Sequence, residues 1–261
     1  MQDFAERYGP WAVVTGAAQG VGLAFAEAAL ARGLSVLLVD RSAEVVDVAA
    51  GLAGEARGVV ADLSVPGWVD VVGDACDGLE VGLAVANAAV SYVGRFLDQS
   101  AASRLATVQV NCLATTELAA WALPPMVERG RGGFVVTSSG SALAGTGSVA
   151  TYSASKAYGL NLAEAIGWEL EGTGVDCQAV VAPAMDTPGW RSHPVATERM
   201  FQPAVNPRAV VEASFDHLSD GGWLLADPGL ELVAGIERGK RVDLLSSTTA
   251  SLYPKEFGPI S

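Results

Sequence analysis

Tyr152-Ser153-Ala154-Ser155-Lys156 sets a phenol and an ammonium four residues apart, on one face of the helix expected there. Such a pair suits proton transfer. A free phenol titrates near 10, so work at neutral pH asks for a fall of about three units, roughly 4 kcal/mol of phenolate stabilisation. A cation beside the phenolate is one source of it. The same spacing also fits a tyrosine packed on a lysine stem at the helix surface. Ser139, 13 residues before Tyr152 at the end of an apolar run, and Asn111 are the polar residues that could join the pair. In a purely architectural role, Ser139 would cap a strand end and Asn111 would be a buried amide holding helix backbone.

A second group of residues could hold an anion. Thr15-Gly16-Ala17-Ala18-Gln19-Gly20-Val21-Gly22 joins the first expected strand to the first long helix. Gly16 permits a sharp turn, Gly20 a close approach of backbone amides to an anion, and Gly22 tight packing of the helix. The N–H groups opening that helix, from Gln19 to Gly22, then face a pyrophosphate, the signature of a dinucleotide site. Asp40 ends the next strand 18 residues beyond Gly22. It could accept two hydrogen bonds from an adenosine ribose and would repel a 2′-phosphate, which favours NAD over NADP. Arg41 partly offsets that repulsion. Asp40 would equally suit a helix N-cap. Asp62, with Leu63 beside it, reads either as a turn residue or as a contact to the adenine edge.

The elements that must position these residues alternate along the chain. Apolar runs at Trp11–Thr15, Ser35–Val39, Arg57–Ala61, Val81–Ala86, Gly133–Ser138 and Val175–Val181 predict strands covered on both faces. Helices are expected over Val21–Arg32, Ala43–Leu52, Val69–Cys76, Ala101–Glu128 and Thr151–Leu170. Strands separated by helices imply an α/β fold, a Rossmann-type doubly wound parallel sheet with helices on both faces. Pro124-Pro125 should kink or end the fourth helix. No linker divides residues 1–261, so one domain is expected. Residues 185–207, rich in proline, read as an irregular flap after the last clear strand.

Composition narrows the function classes. Sixteen basic against 29 acidic residues give a net charge of −13, which would repel a nucleic-acid backbone. No run reaches the roughly 18–20 apolar residues needed to span a bilayer. The N-terminal Met1–Arg7 stretch has no apolar h-region, so a secretory signal is not expected. Cys76, Cys112 and Cys177 are too scattered for a disulfide framework or zinc site, and two histidines are too few for a metal centre. A reducing cytoplasm and no metal are the expectation.

Together, Gly16/Gly20/Gly22, Asp62-Leu63, Asn87-Ala88-Ala89, Asn111, Ser139 and Tyr152/Lys156 resemble the short-chain dehydrogenase/reductase family, in its single-domain branch. The resemblance runs from residue 11 to 187. It implies Tyr152 as general acid/base, Lys156 also bonding a nicotinamide ribose, Ser139 holding the substrate oxygen, and Asn111 steadying a water relay to Lys156. The family's 13-residue spacing to tyrosine selects Ser139 over the adjacent Ser138. It also implies assembly as a homodimer or homotetramer through the helices around Ala101–Glu128 and Thr151–Leu170. The apolar positions Ala157, Leu160, Ala163 and Ala165 permit that, or else pack on the sheet.

The pattern departs in places. Ala89 replaces the family's glycine. The usual Pro-Gly after the last strand is Ala182-Pro183 or Pro183-Ala184, ahead of Thr187, which the resemblance sets against the nicotinamide carboxamide. Almost forty residues follow Gly221-Gly222-Trp223, with helical stretches expected at Glu231–Arg238 and Arg241–Ser247, forming an extended C-terminal segment over 222–261. That extension, and the acidic charge, weaken a carrier-protein reductase reading. Arg7–Gly16 is similar to the hydroxysteroid and long-chain ketoacyl reductase subgroup. Ser141, Leu143, Met185, Trp190 and also Val90 and Tyr92 are expected to line an apolar substrate site, with Arg191 the nearest cation. Trp190 and Met200-Phe201 could instead pack the flap on the body. The expected activity is NAD-dependent interconversion of a secondary alcohol and a ketone on an apolar, steroid- or terpenoid-like molecule. The rivals are an NADPH-dependent carbonyl or 3-oxoacyl reductase and a nucleotide-sensing regulator without chemistry.

Overall fold

Valine, leucine and alanine crowd the strands because helices cover both faces of the sheet. The computed structural model describes residues 4–191 and 203–252. Its strands are β1 (Trp11–Thr15), β2 (Ser35–Asp40), β3 (Ala56–Val60), β4 (Val81–Ala86), β5 (Gly132–Ser139), β6 (Val175–Ala182) and β7 (Gly222–Leu225). They form one sheet in the order β3-β2-β1-β4-β5-β6-β7, every pairing parallel. This is the doubly wound α/β arrangement that the alternation predicts. The helices are α1 (Phe4–Tyr8), α2 (Gly20–Ala31), α3 (Glu44–Ala50), α4 (Trp68–Ala75), α5 (Ala101–Val108), α6 (Ala114–Arg129) and α7 (Ala150–Glu169). Four more follow: α8 (Pro188–Arg191), α9 (Pro207–Asp216), α10 (Pro228–Ala234) and α11 (Arg238–Leu252).

Strand alternation sorts side chains into two cores. Trp11, Val13, Leu37, Phe134 and Val136 join Leu118, Met126 and Leu160 on the α4, α6 and α7 side. Ala12, Val14, Val36 and Leu38 join Phe25 and Phe215 on the α2 and α9 side. The chain order reverses between β1 and β4, and the crevice outside their carboxyl ends is where such a sheet binds ligands.

Three sequence expectations are corrected. The predicted helix over 101–128 is interrupted by a π turn, Gln109–Leu113, and then runs through both prolines to Arg129. Pro124 and Pro125 lie exposed, while Ala122 and Met126 beside them are buried in the core, so tertiary packing outweighs the lost N–H donors. Val175–Ala182 is not the last strand: β7 follows it. Its signal was weak because it is a short edge strand opening on Gly222, with Trp223 43% exposed. Of the expected flap, Met185 pairs with Val205 in a single parallel bridge and Asp186–Arg191 leads into and forms α8, while residues 192–202 lie outside the described residues. The C-terminal helices exist, but the break falls at Gly235 and not beyond Arg238.

Candidate active site

Loop and helix α2 build one wall. Gly16 and Gly20 both adopt positive φ, +66° and +62°, and a Cβ on Gly16 would lie 2.8 Å from the Ala88 backbone. Gly22 serves closeness of helix to loop: its Cβ would fall 2.1 Å from the Gly16 carbonyl oxygen. Gln19 at the N-cap gives α2 no side-chain cap, so the helix-opening N–H groups from Gly20 through Gly22 are oriented for an anion. Asn87 locks the turn, its Nδ2 donating to the carbonyls of Thr15 (3.0 Å) and Gly16 (3.2 Å). Thr15, which the motif reading passed over, accepts from the N–H groups of Asn87 and Ala88 and donates to Val85. Ala89, in the loop that follows β4, is exposed.

Asp40 closes the far side. Its carboxylate accepts from the N–H of Ala18 (3.1 Å) in the loop and of Ser42 (3.0 Å). It does not cap α3, whose N-cap is Ala43. Asp62 accepts from both the N–H and the hydroxyl of Ser64, and these bonds, with the Arg41 cation as a smaller influence, hold its carboxyl below the ordinary range. Leu63 is buried. Thr187 and Pro188 stand over Gly20, the threonine Cβ 3.4 Å from where a Gly20 Cβ would sit. Half-buried Pro183 follows β6.

The second wall carries the titratable groups. Lys156 is buried and its Nζ donates to the Thr137 carbonyl at 2.7 Å, 5.7 Å from the Tyr152 ring centroid. Burial pulls its ammonium down to about 8, with Cys112 a small opposing influence. Burial also pushes the Tyr152 phenol up, and a hydrogen bond with Ser139 works against that rise. Burial outweighs Ser139 and the phenol stays above its ordinary value, so the lowering expected from Lys156 is not what the protein's own groups produce. Ser139 Oγ accepts from Ser141 twice, from its N–H (3.3 Å) and its hydroxyl (3.0 Å). Ser138 points to the other face and donates to the Lys156 carbonyl (2.9 Å).

Asn111 sits in the π turn, a geometry common at functional positions. Its Oδ1 accepts from the Val90 N–H (2.8 Å), and its Nδ2 donates to the Val90 carbonyl (3.0 Å) and to Ser155 Oγ (2.9 Å). Both amide protons are thus spent on architecture. Ser155 passes the tie on to the Tyr152 carbonyl; its signal was a hydroxyl inside the Tyr-to-Lys spacing. Of the expected lining, Ser141 and Leu143 lie on the 3₁₀ turn Gly140–Leu143, and Met185 packs on the α2-side core. Val90 and Tyr92 are half-buried in the loop after β4. Arg191 is not a free anchor: it makes a bidentate pair with Asp186, both bonds 2.7 Å. Trp190 belongs to α8, but its side chain, like Met200 and Phe201, lies outside the described residues.

A parallel sheet with a glycine loop at its switch point and a Ser-Tyr-Lys set across the crevice defines a class. The chain belongs to the short chain dehydrogenase family, whose model matches residues 10–196. Membership makes it an NAD(P)-linked oxidoreductase acting on hydroxyl or keto groups. It is 30% identical over 224 residues to a 7beta-hydroxysteroid dehydrogenase of Collinsella aerofaciens, covering 83% of this chain and 85% of that protein. It is 33% identical over 187 residues to the human Inactive hydroxysteroid dehydrogenase-like protein 1, covering 69% of this chain and 57% of the relative's length. A solved structure from work on 7beta-hydroxysteroid dehydrogenase stereoselectivity superposes with a TM-score of 0.84 at 25% identity, over 94% of this chain and 99% of that one.

Proposed function

We propose that the protein interconverts a secondary alcohol and a ketone on an apolar, steroid- or terpenoid-like substrate, with NAD as cofactor. The observation that carries this reading is buried Lys156 one helical turn beyond Tyr152, its Nζ 5.7 Å from the tyrosine ring, with Ser139 at the end of β5 acting on the same phenol, beside an uncapped glycine-loop helix. Residues Gly16, Gly20 and Gly22 with the N–H groups around Gln19 and Val21 fit a pyrophosphate. Asp40 fits the adenosine ribose, Asp62-Leu63 the adenine edge, Asn87-Ala88-Ala89 the strand-edge contact, and Pro183 and Thr187 the nicotinamide end. An aspartate at the end of β2 disfavours a 2′-phosphate, and the neighbouring Arg41 cation only partly offsets that repulsion. When bound, the oxidised nicotinamide supplies a hydride acceptor and a positive charge.

The chain's own residues do the rest. Tyr152 takes the hydroxyl proton of the alcohol in oxidation and returns it to the oxygen in reduction. Ser139, with its oxygen lone pairs engaged by Ser141, gives its proton to the substrate oxygen. Lys156 keeps a positive charge next to the phenol and reaches the nicotinamide ribose. Asn111 ties Val90 to Ser155 and so fixes the helix turn bearing Tyr152, and the relay toward Lys156 starts from its π turn. Met185 and Ser141 are half-buried and leave partly apolar surface, Leu143 is buried in the core behind them, and Arg191, already paired, offers no anchor for a carboxylate.

The test is NAD(P) reduction over steroid, terpene, aliphatic and aromatic alcohols. Turnover with a polycyclic alcohol and a preference for NAD⁺ is expected. A preference for NADP⁺ would transfer the chain to the carbonyl-reductase reading and overturn the role of Asp40. The relative named as inactive raises a second reading, nucleotide binding without chemistry. The assembled Ser139, Tyr152 and Lys156 weigh against it, and cofactor binding with no turnover across the panel would support it. Assembly as a homodimer or homotetramer through α6 and α7 completes the proposal. A groove of about 650 Å³ between them is lined by Ala119, Ala120, Leu123, Val127, Leu162 and Ile166.

A further inference from the structure

The segment after β7 lies beyond the matched family region, residues 10–196, yet it grips the loop between Ser139 and Tyr152 at three points. Leu230 of α10 covers Gly140, so closely that a Cβ there would come 2.6 Å from the leucine Cδ2. Arg241, in the first turn of α11, donates from Nη1 to the Leu143 carbonyl at 2.9 Å. Its remaining donors go to its own segment: Nη2 to Ala234 (2.6 Å) and Ile236 (2.7 Å), Nε to Ile236 (3.2 Å). Ser246, further along α11, accepts from the Gly147 N–H at 2.9 Å.

These are directional bonds, and they matter because burial does not fix α11: none of its residues is fully buried. Glu237, the nearby carboxylate, is occupied by the N–H groups of Gly239 and Lys240, which leaves the guanidinium to backbone carbonyls. The gripped loop contains the 3₁₀ turn Gly140–Leu143, and that turn holds Ser141. Ser141 in turn places two donors on Ser139 Oγ. An oxygen that accepts twice has its single proton left to give, so the position of the turn decides where Ser139 aims its O–H.

We infer that α10 and α11 form a brace that orients the Ser139 hydroxyl, with Arg241 as its positioning residue. The inference rests on the reading of Ser139 and Tyr152 as the reacting pair. It explains why an arginine with four bonds to carbonyls sits outside the region that makes the dinucleotide fold.

The test compares R241M, R241K and S246A with the wild type in the full-length chain. Each is assayed for kcat and KM with one small cyclic and one polycyclic secondary alcohol. NADH binding is followed by fluorescence enhancement, and folding by thermal melting. A misaimed donor should lower kcat about tenfold for both alcohols in R241M, with NADH affinity changed by less than about twofold. R241K, keeping one carbonyl donor, should recover part of the loss, and S246A should show a smaller fall in the same sense. Unchanged kcat overturns the brace, as does a loss confined to KM of the polycyclic alcohol, which would make α11 a pocket wall only. A fall that merely follows the melted fraction overturns it too. If R241M does not fold, S246A decides by the same criteria. Wild-type protein that turns over no alcohol overturns the reading of the site and the brace with it, whereas active wild type with unaltered variants overturns the brace alone.

Discussion

Lys156 is a buried cation, and its burial has a thermodynamic sign. Its folded value, about 8, lies below its ordinary 10.5, so folding releases a proton between those two pH values. Stability therefore rises as pH climbs through that window, and the penalty is fully present below pH 8, at about 3 kcal/mol. Lys156→Met should stabilise the protein against denaturant at pH 7 by a comparable amount while abolishing turnover; equal stability of both forms would contradict the burial argument. Tyr152→Phe should abolish turnover and leave NADH affinity nearly unchanged. Because the phenol is raised by burial, it stays protonated across the neutral range, so the oxidation rate should climb with pH there while ketone reduction stays flat, which initial rates in both directions will show. The two serines separate by face. Ser139→Ala should lose turnover at nearly constant stability, and Ser138→Ala should keep turnover and lose about 1 kcal/mol with its bond to the Lys156 carbonyl.

Among the elements, the glycine loop is the least tolerant. A methyl on Gly22 would meet the Gly16 carbonyl 2.1 Å away, backbone against helix, so Gly22→Ala must pry α2 from the loop at a cost of roughly 1–3 kcal/mol. Titration with NADH should then show binding weakened far more than thermal stability. Most elements were legible in the residues, since β1 and β4 have the bounds their apolar runs predict. What escaped did so for local reasons. The π turn at Gln109–Leu113 has no propensity signature, because one extra residue per turn is a consequence of what Asn111 ties. Helix α9 did carry a signal, Asn206 capping it and Pro207 in its first turn, inside a stretch that its prolines made look irregular.

For the molecule as a whole, the apolar faces of α7 turned out to be divided. Leu160 and Ala163 are buried in the sheet-side core, and Ala157 packs against it, whereas Ala165 is exposed. The proposed assembly rests on the α6–α7 groove, together with Trp168 at 74% exposure. Ile166→Glu should shift a dimer or tetramer toward monomer in sedimentation velocity; a wild type that already sediments as a monomer would remove the assembly proposal. Spacing in the chain was enough to nominate Tyr152, Lys156, Ser139 and the glycine loop, because helix and strand periodicities are local and convert residue counts into faces. It could not tell which donors those groups would spend on their own backbone. Lys156 bonded to Thr137, Asn111 saturated by Val90 and Ser155, and Arg241 reaching Leu143 all join residues between 19 and 98 positions apart. Such contacts exist only once the sheet order has folded distant segments onto one edge, and that is a decision of packing.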